Sequence, residues 1–114
     1  MSDFWTKSQQ LFADGEYWEC HEVLEEIWLK SDDLHKEFYA GVILCAAALH
    51  KARAMNSARG GRRNYAKAMK HLALVPDIFH DTDVREFEAM VHRALRDESY
   101  FPAIPIVNKT LDES

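Results

Sequence analysis

The chain has 114 residues, 47% of them hydrophobic and 29% charged, which predicts one globular domain over residues 1–114. Its formal net charge is −5, which argues against the clustered positive charge of a nucleic-acid-binding surface. The longest apolar run, from Phe38 to Leu49, is shorter than the roughly 20 residues that span a bilayer, so no membrane partner is expected.

Five helices are predicted from the apolar periodicity and from residues that start and end helices. The chain has no proline before Pro76 and four glycines in all, which favours long helices. We predict helices over about residues 3–13, 16–30, 34–55, 62–74 and 83–96. The predicted fold is therefore all-α, a small bundle of two αα-hairpins followed by a closing helix.

The segments that join the helices indicate how they are arranged. The turn Phe12, Gly15, Tyr17 is similar to the hairpin turn of tetratricopeptide repeats, although no 34-residue period recurs. The third helix is apolar on nearly every side, which is typical of a central helix packed by its neighbours. The clearest loop is the polar segment 56–61. Residues 100–106 are apolar but contain two prolines, so we expect an extended strap across the bundle.

A polar cluster is predicted on the second helix. On a helical wheel His21 falls within the apolar face beside Trp28, and Glu25 falls at the edge of that face. Glu22 lies further round the helix, and Glu26 lies on the solvent side. A buried charge destabilises the fold unless it is paired. We therefore expect His21 and Glu25 to point inward and to have partners.

The third helix offers a partner for this cluster. His50 follows Tyr39 on one stripe, which faces the second helix if the two helices are antiparallel, as their short connection favours. We then expect the side chains of His21 and His50 to lie within hydrogen-bond reach of each other or of Glu25, without a tightly held metal. The full predicted cluster comprises Tyr17, His21, Glu22, Glu25, Trp28, Tyr39 and His50.

Three interpretations of the cluster compete. The first is a structural network that holds the helices in register, and it is the one we favour. The second is a divalent metal site with His21, Glu25 and His50 as ligands, because His and Glu four residues apart on a helix suit a metal. The third is an acid/base site. The sequence H-E-x-x-E at this position lacks the second histidine of the zincin motif, so we expect no cofactor.

An arginine-rich segment is a second candidate site. Arg59, Arg62 and Arg63 surround Gly60 and Gly61 at the predicted start of the fourth helix. Arginines at a helix N-terminus are suited to binding an anion such as phosphate. The alternative, which we favour, is a solvated turn.

The two cysteines bear on the cellular compartment. Cys20 and Cys45 are surrounded by apolar residues and lack C-x-x-C spacing, so they are predicted to be buried, reduced thiols. The N-terminus has neither the basic region nor the long apolar run of a signal peptide. We therefore expect a cytoplasmic protein.

These motifs resemble a bacterial and archaeal family, domain of unknown function 309. Its leading motif is an aromatic residue, a glycine turn, another aromatic residue and H-E-x-x-E-x-x-W, matched here by Phe12, Gly15, Tyr17, His21, Glu22, Glu25 and Trp28. A second block is matched by Tyr39, Gly41, Ala46, Ala47, Ala48 and His50, and a third by Asn56, Gly60 and the segment to Leu72. The resemblance covers about residues 11–74. It implies an all-helical bundle with no assigned activity.

The sequence does not identify an activity, and two classes of function remain. The first is a non-enzymatic interaction module that binds a protein partner or forms a homodimer through exposed aromatic residues such as Trp5 or Trp18. The second is a metal-dependent or acid/base enzyme, similar to a hydrolase, that uses the inward histidines and glutamates of the cluster (His21, Glu22, Glu25 and His50).

Overall fold

The part of the chain that the structure describes forms five helices and one short β-hairpin. The computed structural model describes residues 3–107, with side chains from residue 4, so residues 1–2 and 108–114 of the predicted domain lie outside this part. The helices are α1 (Asp3–Ala13), α2 (Tyr17–Leu29), α3 (Asp33–Arg53), α4 (Ala58–Leu72) and α5 (Val84–Arg96), and the strands are β1 (Ile78–Phe79) and β2 (Thr82–Asp83). The all-α prediction is confirmed. No helix within the described residues is long and apolar enough to cross a membrane.

The central helix of the bundle is α3, with α2 and α4 on either side of it. Trp18 near the start of α2 contacts His50 near the end of α3, with 5.2 Å between the ring centroids. Glu37 near the start of α3 contacts His71 near the end of α4, with 2.7 Å between Oε1 and Nδ1. Both flanking helices therefore run antiparallel to α3 and parallel to each other.

The two remaining helices cover one side of this central helix. The rings of Phe12 in α1 and Phe87 in α5 lie 5.4 Å apart, and Trp5 of α1 packs against Phe38 of α3 at 5.5 Å. The side of α3 that they cover is buried and comprises Phe38, Tyr39, Val42, Cys45, Ala46 and Leu49. The other side of α3 is only half-buried and carries Lys36, Ala40, Ile43, Leu44, Ala47, His50 and Lys51.

The start of α4 differs from the prediction. The helix begins at Ala58, because Ser57 acts as its N-cap and accepts a hydrogen bond from the backbone N–H of Gly60 at 3.0 Å. The predicted loop over residues 56–61 is therefore wrong from residue 58 onward, because residues 58–61 are helical. A Cβ at Gly61 would lie 3.0 Å from the carbonyl oxygen of Ala48, so this glycine lets α4 pack closely on α3.

A second glycine sets the spacing of the same two helices. Gly41 in α3 is buried, and a Cβ there would overlap the Cγ and Cδ2 atoms of Leu72 in α4. Leu72 is itself fully buried, so a shift of its side chain would disturb the packing of the core around it. The packing of α4 on α3 at this point therefore requires glycine.

The β-hairpin was not predicted from the sequence. Its two strands are two residues long and are joined by His80 and Asp81, both with positive φ, as a tight two-residue turn requires. The usual signal for such a turn is Asn-Gly, which is absent here. The C-terminal segment is extended as predicted, with Pro102 and Ile104 buried and a β-bridge from Ile106 to Thr82.

Candidate functional site

The half-buried side of α3 forms the floor of two adjoining grooves. One groove, of about 340 Å³, is lined by Glu25, Trp28, Lys36, Glu37, Ala40, Ile43, Leu44 and His71. The other, of about 470 Å³, is lined by Trp18, Ala47, His50, Lys51 and Met55. We call the surface made by these residues the open face. It runs along α3 between α2 and α4.

An aromatic stack brings part of the predicted cluster together at one end of the open face. The ring of His21 lies parallel to that of Trp18, with 4.8 Å between centroids and 12° between planes, and Trp18 also contacts His50. The two histidines are therefore connected through the indole ring and not by a hydrogen bond. The side chain of His21 is 18% exposed, and its Nδ1 atom is buried without a hydrogen-bond partner in the described part of the chain.

The prediction of an inward, buried Glu25 is wrong. Its side chain is 52% exposed, and its Oε2 atom lies 3.6 Å from Nε2 of His21, beyond hydrogen-bond reach. Glu22 is also exposed. The edge position of Glu25 on the helical wheel leaves its side chain half-exposed at the rim of the groove.

The metal site predicted from the sequence is not assembled. Within residues 3–107, no group of three or more His, Cys, Asp or Glu side chains is placed so that it could hold a metal ion. His21, Glu25 and His50 therefore do not form a three-ligand set. The acid/base alternative stays a prediction. His21 and His50 both contact the ring of Trp18, and the side chains of Glu22 and Glu25 are exposed.

Tyr39 belongs to a different cluster from the one predicted. A hydrogen bond of 2.9 Å joins its hydroxyl to Nε2 of His80 on the hairpin turn. The His80 ring also contacts Trp5 and His35, with 5.1 and 5.4 Å between centroids. Burial, and secondly the nearby His35, lower the pKa of His80 below its usual value. Trp5 is only 8% exposed, so its predicted role as an exposed aromatic is wrong, whereas Trp18 is 47% exposed as expected.

The two remaining aromatic members of the predicted cluster have separate surroundings. Tyr17 is buried, and Nη1 of Arg53 donates to its hydroxyl at 3.4 Å. Trp28 lines the open face, with the Lys36 ammonium 4.6 Å from the centroid of its ring. The predicted set of seven residues is therefore divided between the open face, the core and the hairpin turn.

Sequence reasoning missed a histidine–carboxylate pair on the open face. Nδ1 of His71 donates to Oε1 of Glu37 at 2.7 Å, and both side chains are about two-fifths exposed, at 41% and 36%. The pair joins α3 to α4 at the end of the groove that Glu25 also lines. The two residues are 34 positions apart, so only the register of α3 against α4 could have revealed the pair.

The helices on either side of the open face carry opposite charge. The side chains of Glu19, Glu22, Glu25 and Glu26 make α2 acidic, with no Lys or Arg, and those of Arg59, Arg62, Arg63, Lys67 and Lys70 make α4 basic, with no Asp or Glu. In the described part of the chain, none of these five basic side chains forms an ion pair. The basic charge of α4 is therefore not paired with carboxylates within residues 3–107.

Only part of this charge lies beside the open face. On α4, Arg63, Lys67 and His71 are four residues apart and follow one side of the helix. On α2, Glu22 follows Trp18 by four residues and Glu25 follows Glu22 by three, so all three lie on one side of the helix. Both stripes adjoin the open face, because Trp18, Glu25 and His71 line it.

The arginine-rich segment does not form the glycine loop that the anion-binding hypothesis assumed. Arg59, Arg62 and Arg63 are all exposed in the first turns of α4, and the two glycines between them are helical. Glycine at these positions serves the Ser57 cap and the contact with α3. Phosphate binding by the three arginines stays a prediction.

The comparisons with known proteins identify the family. The model of the family "Domain of unknown function (DUF309)" matches residues 5–64. The chain belongs to the DUF309 family. The match includes α1, α2, α3 and the start of α4, and thus most of the residues around the open face.

The chain is similar to two uncharacterized bacterial proteins and to one protein of known structure. An uncharacterized protein of Aquifex aeolicus is 30% identical over 78% of the chain, and the uncharacterized protein YpuF of Bacillus subtilis is 36% identical over 55%. The chain spans only 27% and 36% of the length of these two relatives. The crystal structure of a conserved hypothetical protein of Thermus thermophilus superposes with a TM-score of 0.74 at 36% identity, over 84% of this chain and 99% of that one.

Proposed function

We propose that this DUF309 protein is a helical interaction module whose open face binds a helix of another polypeptide. The observation that carries the proposal is an uncovered apolar floor on the central helix, bordered by an acidic helix on one side and a basic helix on the other. No described segment of the chain lies over this floor. Grooves that accept an amphipathic helix have this composition.

The exposed side chains of the open face support a protein partner. Trp18 is 47% exposed and Met55 is 56% exposed, at the same end of the surface. Tryptophan and methionine are enriched in the cores of protein interfaces, where burial of a large side chain supplies much of the binding free energy.

The dimensions of the open face suit a helix of about four turns. The floor extends from Lys36 to Lys51 along α3, which is about 22 Å at 1.5 Å per residue. The charges at its borders define the partner. The partner helix would present basic side chains toward Glu22 and Glu25 of α2 and acidic side chains toward α4, because matched charges increase association rates and exclude wrong partners.

The test is site-specific crosslinking in the native cell. A photo-crosslinking phenylalanine derivative is encoded in place of Ala47, which lines the open face, and in a second strain in place of Ala89, which is exposed on α5. Adducts are expected from position 47 and not from position 89, and Trp18→Ala should reduce them severalfold. Equal adduct yields at the two positions would contradict the proposal, as would adducts at position 47 that do not depend on Trp18.

A further inference from the structure

We propose that the helix bound to the open face belongs to a second copy of this chain, in a symmetric dimer whose two-fold axis runs parallel to α3. This inference rests on the proposed function and names its partner. The argument starts from the charges: the chain itself contains both a helix with four acidic and no basic side chains and a helix with five basic and no acidic ones. Each is the complement that the other requires.

A two-fold axis parallel to α3 brings these complements together. The helices α2 and α4 lie on opposite sides of α3 and run in the same direction. Rotation by 180° about an axis along α3, placed just outside the open face, exchanges the two sides. The α2 helix of one copy then faces the α4 helix of the other, and this contact occurs twice because the dimer is isologous.

The same axis keeps each side chain at its own height along α3. Glu25 of α2 and His71 of α4 line the same groove, so the two residues are at one height. At the other end of the open face, Lys51 lines the groove that contains Trp18 and lies beside Gly60. The start of α2 and the start of α4 are therefore at similar heights along α3. At this register Glu22 of one copy lies at the height of Lys67 of the other, and Glu25 lies at the height of Lys70 and His71.

A two-fold axis perpendicular to α3 within the same plane is disfavoured. It would place α2 against α2 and α4 against α4, so that glutamates face glutamates and arginines face arginines. Like charges brought together at an interface cost several kcal/mol. The parallel axis also stacks the two α3 floors, where Ala40 and Ala47 are small enough to let two helices approach closely.

The experiment is a charge-reversal exchange followed by sedimentation equilibrium. The 13.2 kDa chain is expected to sediment as a dimer of twice that mass. The double variant Glu22→Lys with Glu25→Lys, and the double variant Lys67→Glu with Lys70→Glu, should each raise the dissociation constant roughly 100-fold or more. An equimolar mixture of the two variants should recover the dimer, because both contacts are then attractive again.

Two matched variants control for net charge. Glu19→Lys with Glu26→Lys reverses the glutamates of α2 that point away from the open face, and Arg59→Glu with Arg62→Glu reverses arginines outside the Arg63–Lys67 stripe. Both should remain dimeric, and circular dichroism verifies that every variant is folded.

Each contrary result has its own meaning. A wild-type monomer at millimolar concentration would overturn the second copy as partner. Crosslinks from position 47 that depend on Trp18, at a mass other than twice that of the chain, would in that case leave the proposed function standing. A dimer that the reversals at Glu22 and Glu25 do not weaken, or a mixture that does not recover, would overturn the parallel axis. Absence of crosslinks from position 47 would overturn both proposals.

Discussion

Arg53 connects the end of α3 to the C-terminal strap, and its replacement is expected to loosen both. Its Nη2 atom donates to the backbone carbonyls of Ala94, Asp97 and Tyr100 at 2.9, 3.0 and 2.6 Å. These carbonyls lie at the end of α5 and in the segment that follows, where no helical N–H is available to them. One guanidinium group therefore satisfies the acceptors that close the bundle.

The expected loss on Arg53→Met follows from these contacts. Hydrogen bonds to a charged group contribute about 1.5–3 kcal/mol each, but the three bonds share one nitrogen and are not additive. The substitution also leaves the part-buried carbonyls of Ala94 and Tyr100 without this donor, while that of Asp97 keeps the backbone N–H of Tyr100, and it removes the guanidinium that lies 5.0 Å from the Phe101 ring. We expect a loss of about 3–5 kcal/mol in the free energy of unfolding, a large part of the stability of a small domain.

Urea denaturation measures this loss, and amide hydrogen exchange locates it. The midpoint should fall, and exchange should accelerate most in residues 97–107. Arg93→Met is the matched control, because the Arg93 guanidinium is exposed and lies over the ring of Tyr100, 4.1 Å from its centroid; the loss for this variant should be about 1 kcal/mol or less. If Arg53→Met stays within about 1 kcal/mol of the wild type, or matches the control, the account of Arg53 is refuted.

Three further predictions follow from burial. Because Glu25 is 52% exposed, Glu25→Ala and Glu26→Ala should each change the free energy of unfolding by less than about 1 kcal/mol. A loss of about 3 kcal/mol on Glu25→Ala would instead indicate that Glu25 belongs to a buried pair. The pKa of His80 is lowered from 6.5 in the folded protein, so the unfolded chain binds this proton more readily and the free energy of unfolding should fall as the pH drops below 6.5. His80→Asn should weaken this pH dependence, and an unchanged dependence in the variant would show that other groups cause it. Burial raises the pKa of the Cys20 thiol to about 12 and raises that of Cys45 as well, so neither should react with iodoacetamide at pH 8 until urea is added; rapid labelling of the native protein would contradict their burial.

The helices could be predicted because their signals are local. Apolar periodicity, the Gly15 turn and the two C-terminal prolines gave the five helices, the first hairpin and the strap. The start of α4 was missed, although its signal was present: Ser57 stands three residues before Gly60, the spacing of a capping serine. The two glycines were interpreted as a loop because glycine is usually a breaker, whereas here close packing of α4 on α3 requires it.

The site was harder to predict because its contacts are long-range. A helical wheel identifies the apolar side of α2, but it does not show where neighbouring helices stop covering that side. Glu25, at the edge of the apolar face, was therefore predicted to be buried although it is half-exposed. Tyr39 bonds to His80, 41 residues away on the hairpin turn, and Nη2 of Arg53 bonds to carbonyls 41 to 47 residues away at the end of α5 and in the segment that follows it. His71 meets Glu37 only because α3 and α4 pack at one register. No spacing within a single helix contains that information.

Gly41 has a consequence for the width of the open face. Because a methyl group at this position would overlap Leu72, any larger residue would push α4 outward and away from α2. The distance between the acidic and the basic border would then increase, while every side chain that forms those borders stayed unchanged. A buried glycine between two helices thus determines the width of a surface groove to which it contributes no side chain. Selection for partner binding would therefore act on this buried position as well as on the exposed residues around the groove.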